Sequence, residues 1–183
     1  MNSVRCVGKL LVALPMLDDP NFERAVVLVI DHDEDGALGL VLNRPTLTLV
    51  EDVLAGWSIV AAAPIMVFEG GPVEPRAVVG LGVNRPGVVM SSTITDRIRT
   101  VDPSGDPEAL LLEVEGARVF AGYAGWSPGQ LEDEIEQGAW VAIAAEAGDV
   151  LCADPDGLWA AVLGRQPDSL RLLQSYPDDP RLN

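Results

Sequence analysis

One serine stands in a segment whose spacing matches a known catalytic motif. Residues 125–129 read Gly-Trp-Ser-Pro-Gly, which formally matches the G-x-S-x-G nucleophile elbow of α/β-hydrolases. That elbow uses the backbone N–H of the residue after the serine in its oxyanion hole, and Pro128 has no N–H. The histidine of such a triad also follows the serine in the chain, whereas the only histidine here is His32. Helix capping therefore accounts for Ser127 better than hydrolase chemistry does.

His32 and Glu69 are the two residues that could serve as a general base. His32 ends an apolar run and stands between Asp31 and Asp33, and a neighbouring carboxylate increases the basicity of an imidazole. No nucleophile accompanies this histidine, which favours a structural role. Glu69 ends another apolar run and precedes Gly70. An enzyme of unknown reaction that uses Glu69 or His32 as base is therefore kept as an alternative function.

Three aspartates have the spacing of a calcium-binding loop without its remaining ligands. Asp31, Asp33 and Asp35 match the first, third and fifth positions of an EF-hand loop, and Gly36 matches the sixth. The twelfth position is Leu42 instead of glutamate, and strands flank the segment where helices are required. We predict a solvated hairpin tip and no metal site. The chain also lacks a Walker loop and a Rossmann fingerprint, so we predict no cofactor.

The most complete local signal is a junction between a strand and a helix at residues 122–138. Ser127 is predicted to cap the helix and Pro128 suits its first position. Gln130 completes a capping box, and Gly138 supplies a left-handed stop. Such a junction directs backbone N–H groups and the positive end of the helix toward whatever lies before it, which suits an anionic group.

Polar and small residues at the predicted strand ends form a candidate binding site. Ligands of sheet proteins gather at such ends, and an arginine near a helix start can hold an anion. The candidate ligand-binding residues are Asn43, Arg44, Glu69, Gly70, Gly71, Tyr123, Trp126, Ser127 and Gln130. The alternative is that the glycines only allow close backbone packing and that Trp126 belongs to the core. The sequence leaves open whether Arg44 and the turn at 127–130 form one cleft.

The charge of the chain excludes some classes of partner. Twelve basic and 28 acidic residues give a net charge of −16, and the arginines are scattered, so direct nucleic-acid binding is disfavoured. Anionic membranes are disfavoured for the same reason, and no apolar stretch approaches the ~20 residues of a membrane span. Cys6 and Cys152 have no metal-ligand spacing and are expected to be free thiols in a reducing cytosol. We therefore expect a cytoplasmic protein without membrane contact.

The pattern of elements favours an α+β fold. The 183 residues suit one domain, 1–183. The apolar runs predict strands at 9–14, 25–32, 38–43, 65–68, 77–83, 118–123 and 140–145, with a five-residue hairpin loop at 33–37. Helices are predicted at 49–56 capped by Thr48, at 106–114 with Gly116 as stop, after Ser127, at 154–163 and at 169–174. Strands and helices mix without strict alternation, which favours α+β over a doubly wound sheet.

Several motifs in fixed order resemble the YqgE/AlgH family, over essentially the whole chain. They are Gly8-Lys-Leu-Leu-Val-Ala-Leu-Pro, Asp19-Pro-Asn-Phe-Glu-Arg-Ala-Val-Val-Leu, Gly39-Leu-Val-Leu-Asn-Arg-Pro, Gly70-Gly-Pro-Val, Gly122-Tyr-Ala-Gly-Trp-Ser-Pro-Gly-Gln-Leu-Glu and the ending Asp179-Pro-Arg-Leu-Asn183. Ala25 and Asp31 depart from the serine and glutamate common there. The resemblance implies a bent, bifurcated, mostly antiparallel β-sheet that forms a pseudo-barrel with packed helices. It carries no catalytic set, because the family's activity is not established, although its members are often labelled transcriptional regulators.

These observations together favour a non-enzymatic binding or regulatory module. Its expected partner is a protein or a small anionic ligand held in the candidate site. A transcriptional regulator that binds DNA directly is a further alternative, against which stand the charge of −16 and the lack of a recognisable recognition helix. The sequence does not determine the oligomeric state.

Overall fold

The computed structural model describes residues 5–17, 19–91 and 93–175. Its strands are β1 (Lys9–Ala13), β2 (Val26–Asp33), β3 (Gly36–Val41), β4 (Pro45–Leu49), β5 (Met66–Glu69), β6 (Val73–Asn84), β7 (Ile98–Val101), β8 (Val114–Trp126) and β9 (Trp140–Ala144). Its helices are α1 (Val50–Val53), α2 (Pro107–Glu113), α3 (Gln130–Glu136), α4 (Ala147–Val150), α5 (Leu158–Gly164) and α6 (Asp168–Arg171), with 3-10 turns at Trp57–Ile59 and Leu172–Ser175. The family-like ending at 179–183 lies outside the described residues.

The strands form one sheet that forks at β8. Its main path runs β4-β5-β8-β3-β2-β1-β9, and β6 also pairs with β8 and carries β7 on its other side. Every pair is antiparallel except β5 with β8. The nine strands do not close into a full barrel. The predicted α+β class with a forked, mostly antiparallel sheet is confirmed.

Helices cover both faces of the sheet where β1 and β2 lie. Successive residues of β1 enter opposite cores, because side chains alternate between the two faces of a strand. Leu10 packs into the core that contains Trp159 of α5, whereas Leu11 packs into the core that contains Leu131 of α3. Burial on both faces explains why the first strands are continuous apolar runs in the sequence. The apolar run predicted as a strand at 25–32 forms β2, as expected.

The two branches of the sheet separate beside Gly122. Residues of β8 before this glycine pair with β5 and β6, and Gly39 of β3 pairs with Ala124 after it. Gly122 has a φ of 72°, and a Cβ there would lie 2.5 Å from the carbonyl oxygen of Gly71. Only glycine combines this left-handed conformation with so close a backbone approach. The fork therefore brings the end of β5 against the middle of β8.

Two predicted elements near the first hairpin differ from the structure. Asp33 pairs with Gly36, so the loop has two residues instead of five, and the Asp33 carboxylate tightens it by accepting the N–H of Asp35 at 2.8 Å. Of the helix predicted at 49–56, only the single turn α1 forms, and the predicted cap Thr48 lies inside β4 and does not cap it. The reason is tertiary: β4 pairs with β5, and the Thr46 hydroxyl donates to the carbonyl of Val67 at 2.7 Å.

The later helices lie close to their predicted positions, but the residues at which they begin or end differ from the prediction. Asp106 caps α2 by accepting the N–H of Glu108 at 3.0 Å, as predicted. The chain then enters β8 directly at Val114, so Gly116 lies inside a strand and does not stop the helix. Strand β7 arises from a polar segment with no clear pattern. No helix in the described ranges has the length and apolar character needed to cross a bilayer.

Candidate functional site

A cavity of about 160 Å³ lies where β3 and β5 end, and we call it the Arg44 cavity. Three of the predicted site residues, Arg44, Glu69 and Gly71, line it together. The full lining is Pro20, Asn21, Val41, Arg44, Glu69, Gly71 and Pro72. The fold thus joins three chain segments, and the two strand ends chosen from the sequence meet in one place.

Asn43 positions Arg44 without facing the cavity itself. Its side chain is buried, with 4% exposure. Its Oδ1 accepts the N–H of Val26 at 3.0 Å, and its Nδ2 donates to the carbonyl of Arg24 at 2.9 Å. A buried amide satisfied on both sides fixes the backbone around it. Asn43 therefore ties the strand end to the loop that precedes β2.

Arg44 presents a cation that no carboxylate neutralises within the described part of the chain. Its Nη2 donates to the backbone carbonyl of Glu23, and no ion pair involving this guanidinium is present among the described residues. The carbonyl of Arg44 in turn accepts the N–H of Glu69 at 2.8 Å, which places the two residues side by side. A guanidinium has five donors, so most remain available to a ligand.

Gly70 and Gly71 allow the backbone of two strands to pack closely. The N–H of Gly70 donates to Ala121 at 2.9 Å, and its carbonyl accepts the N–H of Val41 at 2.9 Å. A Cβ on Gly71, whose φ is 150°, would lie 2.3 Å from the backbone nitrogen of Ala124. Such distances exclude any side chain. Gly71 also lines the cavity with its backbone, whereas Gly70 is not part of the lining.

Backbone strain borders the same cavity. Arg24 has a φ of 52° and Glu74 a φ of 44°, both in the left-handed region although neither is glycine. Arg24 precedes β2 on the loop that Asn43 holds, and Glu74 follows the lining residue Pro72 by two positions. Residues in this region cost free energy and occur often at binding sites. Both residues lie near lining segments in the chain, although neither lines the Arg44 cavity itself.

Trp126, Ser127 and Gln130 do not join Arg44 in its cavity. Trp126 lines a second cavity of about 230 Å³ with the aspartates of the first hairpin, at 31, 33 and 35. Ser127 and Gln130 line neither cavity. The candidate residues around the start of α3 therefore do not join Arg44 in one cleft, because β3 pairs with β8 at residues 124–126.

The start of α3 differs from the predicted capping box. The helix begins at Gln130, and its N-cap is Gly129 with a φ of 76° instead of Ser127. The Oε1 of Gln130 accepts the N–H of Ser127 at 3.0 Å, which is one of the two hydrogen bonds of the predicted capping box. This bond uses an N–H group that was expected to face a ligand. The predicted stop is confirmed: Gly138 has a φ of 79°, and its N–H donates to Ile135 at 3.1 Å. At the other end of α3, the N–H of Ser127 is therefore already used within the protein.

Tyr123 also lies apart from the lining of the Arg44 cavity. It is half-buried and pairs with Val73 across the fork. Desolvation, together with the neighbouring carboxylate of Glu74, raises the pKa of Tyr123. A phenol with a raised pKa stays protonated at neutral pH, so it acts as a hydrogen-bond donor beside a strained residue of the cavity border.

Glu134 forms hydrogen bonds to the two tryptophans near α3, a role that the sequence pattern did not predict. Its Oε2 accepts the indole N–H of Trp126 at 2.9 Å and that of Trp140 at 2.8 Å. Its Oε1 accepts the amide of Gln130 at 2.8 Å. A glutamate on a short surface helix is ordinarily expected to face solvent. The signal available was its spacing of four from Gln130, which puts both on one side of a helix.

His32 is fully engaged in the structure. Its exposure is 4%, its Nδ1 accepts the N–H of Cys6 at 3.1 Å, and its Nε2 lies 3.2 Å from Oε1 of Glu132. The backbone donor fixes the neutral tautomer that carries its proton on Nε2. Both ring nitrogens are thereby used within the protein, so His32 has no nitrogen left for a substrate. Of the two candidate bases, Glu69 is the one exposed at a cavity.

Residues 10–171 match the model of a family described as AlgH-like. A UPF0301 protein of Streptomyces avermitilis is 48% identical over 182 residues, which cover 96% of this chain and 94% of that one. A UPF0301 protein of Thermobifida fusca is 44% identical over 194 residues, covering 100% and 98%. These matches confirm the resemblance drawn from the motifs.

Two solved structures resemble this fold. The crystal structure of a protein from Corynebacterium diphtheriae gives a TM-score of 0.89 at 32% identity and covers 96% of this chain and 95% of that one. The solution structure of the AlgH protein from Pseudomonas aeruginosa gives 0.64 at 28% identity and covers 98% of both. None of these names states a reaction, a substrate or a ligand.

Proposed function

The chain belongs to the AlgH-like family, and we propose that it is a non-enzymatic binding or regulatory module that holds a small anionic group in the Arg44 cavity. The observation that carries this proposal is the guanidinium of Arg44. It lines a cavity, is oriented by the carbonyl of Glu23, and has no carboxylate partner within the described residues. In a chain with 28 acidic residues, an arginine that forms no ion pair within the described residues suits an anion brought from outside.

The size of the cavity limits the ligand. Its volume of about 160 Å³ is below the ~300–1,000 Å³ of pockets that enclose drug-sized molecules. A carboxylate or a phosphate group fits, with the rest of a larger ligand outside the cavity. The net charge of −16 repels a polyanion as a whole, which argues against duplex DNA as the ligand.

Glu69 makes the site selective among anions. Its exposed carboxylate lines the same cavity as Arg44, and it repels a ligand that carries negative charge alone. A ligand with an amine close to its anionic group satisfies both side chains at once. We therefore expect zwitterionic ligands to bind more tightly than simple anions of the same size.

The first experiment is native mass spectrometry of the freshly purified full chain. The expected result is a discrete additional mass that is lost in Arg44→Ala and kept in Arg85→Ala. Arg85 is a matched control because it also lies in an Asn-Arg-Pro sequence and donates to a backbone carbonyl, that of Leu111, at 3.1 Å.

Calorimetry with two probes then tests the site without knowledge of the natural ligand. Inorganic phosphate and phosphoethanolamine share a phosphate, and only the second carries an amine. Arg44→Ala is expected to weaken both by about tenfold to a hundredfold, the range for one charged hydrogen bond. Glu69→Gln is expected to weaken phosphoethanolamine and to tighten phosphate. Equal affinities in wild type and Arg44→Ala would contradict the proposal.

A further inference from the structure

An open hollow lies on the exposed side of the sheet, next to Gly125 near the end of β8. Gly125 is exposed to solvent and pairs with Leu38 of β3. A Cβ added to this glycine would lie 3.7 Å from Cγ2 of Val73, 3.9 Å from Cδ2 of Leu38 and 3.9 Å from Cε2 of Tyr123. These three side chains surround a space that a side chain at position 125 would fill, and we call it the Gly125 hollow.

The fold itself does not require a glycine at this position. Gly125 lies outside the left-handed region of φ, and its pairing with β3 continues in register from residue 124 to residue 126. An added Cβ would meet the described neighbours of Gly125 only at ordinary van der Waals distances, whereas at Gly71 and Gly122 it would meet backbone atoms at 2.3 and 2.5 Å. Glycine inside a strand marks a bulge, a sharp bend, or a place where another backbone or a ligand approaches closely. Since the described residues around Gly125 show neither a bulge nor a crowding backbone, its openness suits a partner from outside.

The walls of the Gly125 hollow are apolar and accessible. Leu38 and Val73 each have 37% exposure, and Tyr123 is half-buried. Covering these walls with an apolar group removes apolar surface from water, which is favourable. The hollow therefore suits an apolar side chain that another molecule brings.

Carboxylates border the hollow on the side of the first hairpin. Leu38 pairs with Asp31 across β2 and β3. It also lines the cavity of about 230 Å³ together with three exposed hairpin aspartates, Asp31, Asp33 and Asp35. None of the three forms an ion pair within the described part of the chain. The apolar hollow thus adjoins a surface that suits positive charge.

A fourth carboxylate lies on the β6 side of the hollow. Glu74 directly follows Val73, and its carboxylate accepts a hydrogen bond from the phenol of Tyr123. One basic residue, Arg76, is also exposed in this segment, and it forms no ion pair with these carboxylates among the described residues. Negative charge therefore borders the hollow on the sides of both neighbouring strands.

We propose that the Gly125 hollow and the hairpin aspartates form a docking site for a basic segment of a partner protein. An apolar side chain of that segment enters the hollow, and the lysine or arginine side chains next to it contact the aspartates. A metal ion or a polyamine would use the carboxylates and leave the apolar hollow empty. A second copy of this chain, with its net charge of −16, would bring further negative charge to the same place. The site shares no lining residue with the Arg44 cavity.

The test measures fluorescence anisotropy of three labelled nine-residue peptides with the full chain at low ionic strength. The first peptide has a central leucine, with arginine and serine alternating on either side. The second has alanine in place of leucine, and the third has glutamate in place of each arginine. We expect the leucine peptide to bind about tenfold more tightly than the alanine peptide, the effect of burying most of one leucine side chain, and the glutamate peptide not to bind. Because any acidic chain attracts arginines, the preference for leucine separates docking in the hollow from general attraction.

Two variants test the hollow directly. Gly125→Val fills it, and Leu38→Thr removes most of one apolar wall. Each variant should bind the leucine and alanine peptides with equal affinity, and urea unfolding establishes that it is folded. If Gly125→Val does not fold, Leu38→Thr still decides, because it changes an exposed residue. A preference for leucine that persists in the folded variants would contradict the placement.

The charge at the border is tested with a matched pair of double variants. Asp31→Asn with Asp35→Asn should weaken the leucine peptide by about fivefold, the effect of losing two exposed ion pairs. Glu108→Gln with Asp156→Asn removes the same charge from exposed positions in α2 and before α5, and it should change the affinity by less than about twofold. Equal affinities of the leucine and alanine peptides for wild type, no binding of either, or equal losses in the two double variants would overturn the proposal.

Discussion

Glu134 accepts a hydrogen bond from the indole N–H of Trp126 at 2.9 Å. The same carboxylate accepts the indole of Trp140, and the ring of Phe22 packs against both indoles, at centroid distances of 6.4 and 5.6 Å. One glutamate of a short helix therefore fixes the end of β8 and the start of β9. Trp126 has a structural role, although it was one of the candidate ligand-binding residues.

Replacing this carboxylate should destabilise the protein. Glu134→Ala leaves two indole donors without an acceptor, and we expect the free energy of unfolding to fall by about 1–3 kcal/mol. Glu134→Gln keeps one carbonyl oxygen and should cost less. Glu136→Ala, an exposed change in the same helix, should stay within about 0.5 kcal/mol of wild type. Urea unfolding measures all three, and equal losses in Glu134→Ala and Glu136→Ala would exclude this role.

Two left-handed glycines should respond very differently to a methyl group. Gly129 has a φ of 76° and no atom within 4 Å of an added Cβ, so Gly129→Ala should cost only the conformational penalty of about 1–2 kcal/mol. Gly71→Ala adds a clash with the backbone of Ala124 at 2.3 Å, and a strand must move to relieve it. We expect a loss of more than about 3 kcal/mol, measured by urea unfolding. Similar losses in both variants would show that the strands at the fork are not in close contact.

Cys6 should make the protein less stable at alkaline pH. Burial raises the pKa of its thiol above the ordinary 9.0, Glu132 adds to this and Lys9 opposes it. Above pH 9.0 the unfolded chain loses this proton while the native protein keeps it, so the native state binds more protons and stability falls as pH rises. The effect is absent below that pH.

The variant Cys6→Ala removes this proton and should show a smaller loss of stability across pH 9.0. Urea unfolding on either side of that pH, with Cys152→Ala as control, isolates the contribution, because all other titrating groups are shared. An identical pH dependence in wild type and Cys6→Ala would show that Cys6 ionises equally in both states.

Local chemistry determined much of this protein. The apolar runs that became β1, β2 and β9, the Asp106 cap and the Gly138 stop depend on side-chain type and near neighbours, which a sequence displays directly. The motifs in fixed order were sufficient for the family. Two further local signals, an arginine after one strand and a glutamate with glycines after another, indicated residues that line the Arg44 cavity.

Long-range contacts decided the rest. Thr48 belongs to a strand and caps no helix because β4 pairs with β5. The propensities of a few neighbouring residues cannot reveal such a distant pairing partner. Trp126 and Arg44 line different cavities because β3 pairs with the end of β8. Glu134 and Arg118 turn inward toward partners elsewhere in the fold, and the sequence alone would leave such charges in water. Burial and partner are properties of the packed chain, and in this protein they, more than residue type, determine which polar groups remain free to bind.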